Sequence, residues 1–578
     1  MYTIAKNAQI VLVLLKKHNI RHIIINPGAT NIPIVQGIQN DEFFQCYSIV
    51  DERSAMYFAI GLHLDTGEPV AITCTSAQAT RNYLPGLTEA FYKNVPILAI
   101  TVSKHPKYNY QGYPQHPIQA SVPEDTVKRT FALPYVSDHI DELQCIRMSN
   151  EAILELSHRT PGPVQLNLPM LDDELVAFTE SELPDVRMIN RYMQWDEWND
   201  LKLIEKKIMI VVGEHRPFSN KQRVALEAFA ESHNAFIYVN HLSNYHGEYT
   251  VPANIVLSVM SDDAFKKIYK PDILITIGGQ TGDYPLLRKL SAGSECDFEH
   301  WHVKGNGEVV DTYDKLTKVF ECPFDEFLSR LALDKQSSHQ FFKLWKAAYD
   351  SILIPDNLPL SNAFLAQQLH NAIPNKSYIN FAILNSLRNW SLFPLDSSIV
   401  CYSNVAAFGI DGCMSTFLGQ SIVTSNLCFL VIGDLSFFYD MNSLGIRHLK
   451  NNIRILLVNN GCGVEFRMNL KLYQHIENDI FPYIAAKGHY RDAKGWAESC
   501  GFRYLSAATK EEFCIHKDVF ISESEQPMVF EVFINPDDEV LAYKNIMSEN
   551  HIESKAKSIA RSVLGKKGVG FLKSVVKK

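Results

Sequence analysis

The segment 427–463 contains the residues whose types and spacing most directly predict chemistry. One apolar run ends in Gly433-Asp434, and the next apolar run along the chain ends in Asn459-Asn460. If both runs are parallel strands, their carboxyl ends meet at one edge of a sheet, which is where such sheets bind ligands. A carboxylate and an amide oxygen at that edge suit Mg²⁺ that also holds a diphosphate. An Asp that only caps the following helix is the alternative.

Other short segments also contain residues that could contact a ligand. These are VDERSA with Glu52, the run 74–101 with Asn82, GYPQHPIQ with Gln115, and Ser403-Asn404 leading into Gly409-Ile410-Asp411-Gly412. Glu52 follows a short apolar run at the predicted start of a helix, so an N-cap or an ion pair is the alternative interpretation. Ile410 is either a residue that contacts a ligand or an ordinary core residue. These residues alone leave both questions open.

The elements that must position these residues follow a regular pattern. Stretches 1–180, 190–335 and 355–540 each alternate apolar strands with amphipathic helices, which is typical of parallel α/β domains. Strands are predicted at 22–25, 70–74, 96–101, 163–168, 207–213, 235–239, 273–278, 399–402, 427–432, 453–458 and 528–533. Their nearly continuous apolar character favours sheets covered on both faces. We therefore predict an α/β protein with three doubly wound parallel-sheet domains, of which the first and third could be structural copies.

Composition and charge exclude several classes of protein. The net charge of −9 and the pI of about 6.1 lack the basic character of a nucleic-acid binder. The eleven Cys are scattered and form no CxxC pair, which predicts reduced thiols in a cytoplasmic protein. The N-terminus lacks the layout of a signal peptide. No apolar run reaches the roughly 18 residues that a membrane span needs.

The C-terminal end differs from the rest of the chain. Between Lys555 and Lys578 there are eight Lys or Arg and no acidic residue, interleaved with apolar residues. We predict a basic amphipathic tail at 550–578. It is either frayed or a helix that touches an anionic membrane surface or an acidic partner. Gly565, Gly568 and Gly570 weaken the prediction of a helix.

Taken together, the motifs GDLS, GIDG, DERSA, CTS…NYLP…EAFY and GYPQHPIQ resemble those of the thiamine-diphosphate (ThDP)-dependent decarboxylases and carboligases. Within that superfamily they are most similar to the menaquinone-pathway 2-succinyl-5-enolpyruvyl-6-hydroxy-3-cyclohexene-1-carboxylate synthases. The resemblance covers about residues 1–540 in the right order. It implies a pyrimidine-binding domain, a central domain and a diphosphate-binding domain, with ThDP and Mg²⁺ as cofactors.

The resemblance also implies a role for individual residues. Glu52 would hydrogen-bond N1′ of the cofactor's aminopyrimidine, as a carboxyl kept protonated by burial. Asp434, Asn460 and the main-chain carbonyl of Cys462 would bind Mg²⁺, although NNGCG stands where relatives have NNNGG. Gln115 would lie over the reacting centre, and Asn82 would face the same pocket. The implied cofactor-binding residues are Gly433, Asp434, Leu435, Ser436, Ser403, Asn404, Asn460 and the bulky wedge Ile410.

The chain departs from this family where relatives carry Arg or Lys for substrate carboxylates. The replaced positions are Thr30 in NPGATN, Val405 in SNVA, Gly282-Asp283-Tyr284, Lys104, and Arg388 in LNSLR, whose equivalence to the family's GNSxxxR arginine is open. A charge-assisted bond is worth about 1.5–3 kcal/mol. Losing about three predicts poor use of 2-oxoglutarate and isochorismate. Thr30, Asn82, Lys104, Arg388 and Val405 are therefore the candidate substrate residues.

The sequence leaves several functions open. A carboligase would decarboxylate a small 2-oxo acid such as pyruvate and transfer the acyl anion to an unidentified acceptor. A simple 2-oxo acid decarboxylase would need a proton donor, for which His105 and His116 are candidates. The menaquinone-pathway reaction itself is a third possibility, and a non-catalytic subunit is a fourth. Gly213 and Gly278-Gly279 are weak nucleotide signals, so no flavin is predicted. The resemblance implies a homodimer or tetramer, with each cofactor held by the first domain of one chain and the third domain of its partner.

Overall fold

The computed structural model describes residues 1–291, 296–468 and 481–553. This part of the chain contains three sheets flanked by helices. It divides into two compact units, Met1–Met193 with Gly307–Val319, and Gln194–Asn306 with the chain from Phe320 onward. The α/β class with three parallel-sheet layers is therefore confirmed, while the domain limits remain predictions.

The first sheet has six parallel strands in the order β2-β1-β3-β4-β6-β5. Its strands are β1 (His22–Ile25), β2 (Gln45–Ser48), β3 (Val70–Cys74), β4 (Ile97–Lys104), β5 (Arg129–Ala132) and β6 (Val164–Met170). The helices are α1 (Lys6–Lys17), α2 (Ile32–Gln39), α3 (Glu52–Thr66), α4 (Gln78–Asn82), α5 (Leu84–Tyr92) and α6 (His139–Glu155). Strands β1, β3 and β6 are buried along their whole length because helices cover both faces.

The second sheet has seven strands in the order β10-β9-β8-β11-β12-β13-β7, and its pairs from β10 to β12 are parallel. Its strands are β7 (Asn190–Met193), β8 (Ile208–Val212), β9 (Ala235–Tyr238), β10 (Thr250–Val251), β11 (Ile273–Ile277), β12 (Glu299–Val303) and β13 (Leu316–Glu321). The helices are α7 (Asn220–Ser232), α8 (Asn254–Val259), α9 (Asp262–Ala264), α10 (Tyr284–Leu290), α11 (Phe324–Leu331) and α12 (Gln340–Asp350).

The third sheet has six parallel strands in the order β15-β14-β16-β17-β19-β18. Its strands are β14 (Tyr378–Phe381), β15 (Val400–Ser403), β16 (Cys428–Gly433), β17 (Ile453–Asn459), β18 (Arg503–Ala507) and β19 (Met528–Phe533). The helices are α13 (Asn362–Leu369), α14 (Asn385–Trp390), α15 (Cys413–Ser421), α16 (Asp434–Tyr439), α17 (Glu465–Met468), α18 (Phe481–Ile484), α19 (Lys494–Ser499), α20 (Lys510–Ile521) and α21 (Pro536–Glu549).

The first and third sheets share one topology. Numbered by their order along the chain within each sheet, the strands of both run 2-1-3-4-6-5 across the sheet. Both sheets are parallel throughout. This identity of strand order supports the prediction that the two are structural copies. It also makes the end of β16 the counterpart of the end of β3.

Close approach of two backbones explains the glycines at the carboxyl edge of the second sheet. The chain leaves β8 towards β9 on one side and continues to β11 on the other, so ligands of such sheets would bind at this point. Gly213 N–H donates to Ile277 O at 2.9 Å, and Gly279 N–H donates to Glu214 O at 2.9 Å. A Cβ at Gly213 would lie 1.8 Å from Gly279 O. Packing of the main chain therefore accounts for Gly213 and Gly279.

Two predictions about membranes concern different parts of the chain. Within the described residues, no helix combines the length and the apolar character that crossing a membrane requires. The predicted amphipathic tail, from residue 554 onward, lies outside the described residues, and its membrane or partner contact stays a prediction.

Candidate cofactor site

Glu52 is the first residue of α3, where the sequence predicts the start of a helix. Asp51 caps this helix, because its side chain accepts hydrogen bonds from the Arg53 and Ser54 N–H groups. The cap belongs to Asp51, which leaves the Glu52 carboxylate available for another partner. Asn82 Nδ2 donates to Glu52 Oε2 at 3.0 Å, so the structure brings these two predicted residues together. Glu52 is half-buried and Asn82 is exposed within the single chain.

The other predicted residues of the first unit lie in different surroundings. Thr30 is buried, and its Oγ1 lies 2.9 Å from Thr75 Oγ1 and accepts from Ser76 N–H at 2.7 Å. Thr30 therefore ties the ends of β1 and β3 together. Gln115 is exposed and has a left-handed φ of 56°. Within residues 1–291, no hydrogen bond joins it to Glu52.

Lys104 is already paired with a carboxylate of its own chain. Its Nζ forms an ion pair with Asp172 and lies 5.1 Å from the centroid of the Tyr113 ring. Tyr113 OH donates to the other oxygen of Asp172 at 2.9 Å. Both partners lower the pKa of Asp172 through their hydrogen bonds, which keeps that carboxylate charged. The positive charge of Lys104 is therefore balanced within the chain.

Asp434 and Asn460 follow the neighbouring strands β16 and β17, and both lie beside Gly461 in the loop after β17. Strand β16 pairs with β17 up to Gly433 and Val458, so both strand ends meet at the carboxyl edge. Asp434 Oδ2 accepts from Gly461 N–H at 2.6 Å, and Asn460 Oδ1 accepts from Cys462 N–H at 3.3 Å. Burial raises the pKa of Asp434, while its hydrogen bonds act in the opposite direction. The geometry places two oxygen ligands beside the Gly461-Cys462 backbone.

The chemistry of these groups fits Mg²⁺. Carboxylate, amide and carbonyl oxygens are the hard ligands that Mg²⁺ prefers. Burial raises the pKa of the Cys462 thiol to about 11, so the sulfur stays protonated at neutral pH and the carbonyl is the suitable donor. Among the described residues, no three His, Cys, Asp or Glu side chains converge on one metal position.

The neighbouring strand end and loop supply groups suited to a diphosphate cofactor. Ser403 is buried at the end of β15, and its Oγ has no hydrogen-bond partner. Asn404 Nδ2 donates to Thr416 Oγ1 at 3.1 Å. Ser436 Oγ donates to the Ile410 carbonyl at 2.5 Å, which ties the GIDG segment to α16. The Ile410 side chain remains 37% exposed, unlike a core isoleucine. An unpartnered buried hydroxyl and an exposed apolar wedge both suit a bound cofactor.

His489 also belongs to this site, although no motif predicted it. Its Nε2 lies 3.0 Å from Asp434 Oδ2, and its main-chain oxygen lies 3.3 Å from where a Cβ of Gly461 would be. The contact depends on the fold of residues 481–493, which carry no pattern typical of a cofactor site. Only the structure could bring it to Asp434.

Gly282 and Val405, at which the family resemblance implies cations, lie against each other. A Cβ at Gly282 would lie 2.8 Å from Val405 Cγ1 and 3.1 Å from Leu387 Cδ2. Val405 is fully buried. Asp283 is buried as well and accepts from Tyr238 OH, Asn240 Nδ2 and Asn254 Nδ2 at 2.6–2.9 Å. Burial raises the pKa of Asp283 to about 6. Apolar packing therefore replaces the cationic groups expected at both positions.

Two arginines that follow strands of the third sheet, Arg388 and Arg467, are paired with acids. Arg388 donates to both oxygens of Glu465 at 2.6 and 3.0 Å. Arg467 forms an ion pair with Asp537. Counted strictly, the GNSxxxR pattern places its arginine at Trp390, which is buried and donates to Asn362 Oδ1 at 3.2 Å. Leu384 takes the place of the motif's glycine and has a φ of 65°, which favours glycine.

Comparisons with known proteins place the chain among its relatives. The family model "Thiamine pyrophosphate enzyme, N-terminal TPP binding domain" matches residues 5–123. The 2-succinyl-5-enolpyruvyl-6-hydroxy-3-cyclohexene-1-carboxylate synthase of Bacteroides thetaiotaomicron is 35% identical, over 93% of this chain and 97% of the relative. The enzyme of the same name from Phocaeicola vulgatus is 36% identical, over 92% and 96% of the two chains.

More distant proteins match over similar lengths. The enzyme of the same name from Flavobacterium psychrophilum is 27% identical, over 91% of this chain and 95% of the relative. A solved structure, the Rhodococcus jostii RHA1 thiamine diphosphate-dependent 4-hydroxybenzoylformate decarboxylase, has a TM-score of 0.41 at 17% identity and covers 92% of this chain and 99% of its own. On the curated relatives above 30% identity, the chain belongs to the family of 2-succinyl-5-enolpyruvyl-6-hydroxy-3-cyclohexene-1-carboxylate synthases, which are ThDP-dependent enzymes of the carboligase type.

Proposed function

We propose that this protein decarboxylates a 2-oxo acid with ThDP and Mg²⁺ and transfers the resulting acyl anion to an acceptor. The observation that carries the proposal is the pair Asp434 and Asn460, which flank Gly461 at the carboxyl edge of β16 and β17. When bound, the cofactor would supply a carbanion nucleophile and an electron sink for the electron pair that CO₂ leaves behind. The chain contributes binding, orientation and control of protons.

Each residue of the site has one task in this proposal. Asp434, Asn460 and the Cys462 carbonyl would hold Mg²⁺, and the unpartnered Ser403 hydroxyl would donate to the diphosphate. Glu52 would share its proton with N1′ of the aminopyrimidine, and Asn82 would orient the carboxyl through the 3.0 Å hydrogen bond. Gln115 would act over the reacting centre, as the family resemblance implies. Ile410 would support the cofactor from one side.

For the donor, we propose a small monocarboxylic 2-oxo acid such as pyruvate. Val405 packs against Gly282 where the family resemblance implies cations, and Lys104, Arg388 and Arg467 are each paired with an acid of the chain. A second substrate carboxylate would have to be buried without a partner, which costs several kcal/mol. The acceptor is not identified by these contacts.

The second candidate is the reaction named for the relatives. Their identity of 35–36% over more than nine tenths of the chain favours the menaquinone-pathway synthase reaction, with 2-oxoglutarate and isochorismate as substrates. The two candidates share cofactor chemistry and differ in substrate charge, so one substrate panel separates them. A simple decarboxylase would use His105 or His116, whose rings are engaged with Lys107 N–H and Asn109 Oδ1.

With ThDP and Mg²⁺, the enzyme is expected to release CO₂ from pyruvate or another small 2-oxo acid. The measurement is CO₂ release and product analysis over a panel of 2-oxo acids, with and without aldehyde or ketone acceptors. Reactions lacking Mg²⁺ and ThDP are the control. A kcat/KM for 2-oxoglutarate tenfold above that for pyruvate, with isochorismate accepted, would establish the second candidate. Absence of CO₂ release from every donor would contradict both.

For the assembly, we propose a homodimer or a dimer of dimers in which two chains complete each site. Support comes from apolar residues exposed beside Glu52 in the single chain, namely Val50 at 80%, Tyr57 at 47% and Phe58 at 44%. Such residues beside an ionisable group are typical of a surface that a partner covers. All eleven cysteines are free thiols, which supports a cytoplasmic location.

Mixing two inactive variants is expected to restore activity. A dimer of one Glu52→Gln chain and one Asp434→Ala chain retains one intact pair of half-sites, because each mutation affects a different half. About half of the dimers in a random mixture contain both variants, so activity should recover to about a quarter of the wild-type value. Each variant alone is the control. Full activity of a monomer, established by light scattering, would contradict the shared site.

A further inference from the structure

Arg388 is held by an internal carboxylate in a two-point contact. Its Nη1 donates to Glu465 Oε2 at 2.6 Å and its Nη2 to Glu465 Oε1 at 3.0 Å. Nη1 also donates to Asn385 Oδ1 at 3.2 Å. The side chains are 21% and 19% exposed. A planar guanidinium offers this fork to one carboxylate at a time, so Glu465 takes the place that a ligand carboxylate would use.

Arg388 and Glu465 both follow strands of the third sheet. They lie after the carboxyl ends of these strands, at the edge where the cofactor site is predicted. Glu465 begins α17, three residues after Cys462 in the loop that follows β17. Arg388 lies on α14, and its neighbour Leu387 lies 3.1 Å from where a Cβ of Gly282 would be. Along the chain, the pair therefore adjoins the Gly461-Cys462 loop through Glu465 and the Gly282 contact through Leu387. Glu465 lies outside every cofactor motif of the chain, so the sequence alone did not predict its role.

We propose that Glu465 determines substrate specificity by occupying the guanidinium of Arg388, so that the site rejects a donor with a second carboxylate. The inference rests on the proposed decarboxylation of a 2-oxo acid and adds the residue that selects the class of donor. A dicarboxylate can reach Arg388 only by displacing Glu465, which would leave that carboxylate half-buried beside the charge of the ligand. The Glu465 carboxylate therefore repels the second carboxylate of such a donor, in addition to withholding the Arg388 guanidinium from it.

The matched donors 2-oxopentanoate and 2-oxoglutarate isolate the effect of the distal carboxylate, since both have five carbons. In the wild-type holoenzyme, kcat/KM is expected to favour 2-oxopentanoate by about a hundredfold. Glu465→Gln frees Arg388 and should reduce this preference at least tenfold, mainly through a lower KM for 2-oxoglutarate. The double variant Glu465→Gln with Arg388→Gln should lose this gain, because no guanidinium remains.

Two further variants test whether a folding defect or a general change of charge could explain the change in donor preference. Arg388→Gln leaves Glu465 unpaired and should increase the preference for 2-oxopentanoate. Asp350→Asn frees Lys346 from an exposed ion pair on α12 and should leave the ratio unchanged, because Lys346 is not one of the candidate substrate cations. Thermal unfolding of each variant checks its fold. If Glu465→Gln does not fold, the shift in Arg388→Gln decides the question.

Equilibrium binding separates failure of this inference from failure of the proposed function. Calorimetry on the ThDP-loaded enzyme measures the affinities for glutarate and pentanoate. Their ratio gives the preference for or against a second carboxylate even if no donor is decarboxylated. Tighter glutarate binding in Glu465→Gln, by tenfold or more relative to pentanoate, supports the inference. An unchanged ratio in both kinetics and binding overturns it, whereas a wild-type enzyme that releases no CO₂ overturns only the proposed reaction.

Discussion

Replacing Glu52 by Gln is expected to leave ThDP bound but to slow exchange of its thiazolium C2 proton by about 10²–10⁴-fold. The amide keeps the size and the hydrogen-bonding capacity of the side chain, so Asn82 retains a partner at position 52. An amide cannot share a proton with N1′, and that shared proton would make the amino-derived nitrogen of the aminopyrimidine basic enough to remove the thiazolium C2 proton. The readout is hydrogen–deuterium exchange at C2, followed by NMR after acid quenching.

Asp51→Asn is the matched control for this experiment. Asp51 lies next to Glu52 and caps α3 through two backbone N–H groups. Asn is an equally good N-cap, so the helix should begin at the same residue. Its exchange rate should equal that of the wild type. If the Glu52→Gln enzyme exchanged at the wild-type rate, Glu52 would be a structural residue.

The second large effect is expected from Asp434→Ala, which should abolish the contribution of Mg²⁺ to ThDP binding. Asp434 is the only acid in the predicted ligand set, and its loss removes the charge that holds the divalent ion. The affinity for ThDP at saturating Mg²⁺ should therefore fall to the value measured in EDTA. Titration calorimetry with and without Mg²⁺ gives both affinities directly.

Asp440→Asn provides the control for the metal site. Asp440 follows the same helix, and its oxygens accept from the Ser415 N–H and Oγ, away from the Gly461 loop. Its Mg²⁺ dependence should match that of the wild type. An Asp434→Ala enzyme that still gained ThDP affinity from Mg²⁺ would place the metal on other residues.

The sequence predicted central strands of the sheets because both faces of those strands are buried, whereas the largely exposed strands β2 and β5 were not predicted. Strands such as β1 and β17 are apolar at nearly every position, which distinguishes them from the half-polar helices around them. The juxtaposition of Asp434 and Asn460 was predictable for the same reason, since parallel strands that are neighbours must end at one edge. The residues that follow each strand could therefore be assigned to that edge from the sequence.

Contacts made by loops could not be predicted in this way. His489 reaches Asp434 and Glu465 reaches Arg388 from segments whose paths depend on the whole fold. The sequence showed Gly282 and Val405 individually as positions where the family resemblance implies cations. It did not show that these two residues contact each other. Burial of a carboxyl such as Asp283 was also hidden, because its hydrogen-bond donors come from two other segments, the end of β9 with Tyr238 and Asn240, and α8 with Asn254.

The contact between Gly282 and Val405 limits which side chains each of these positions can accept. Any side chain at 282 would meet Val405 at about the 2.8 Å found for a Cβ, and the φ of 69° further disfavours it. A longer residue at 405 would strike the 282 backbone in turn. Introducing a cation at either position alone therefore disrupts a close contact before it provides any new binding. Coordinated changes at both positions would be needed to place a cationic side chain there.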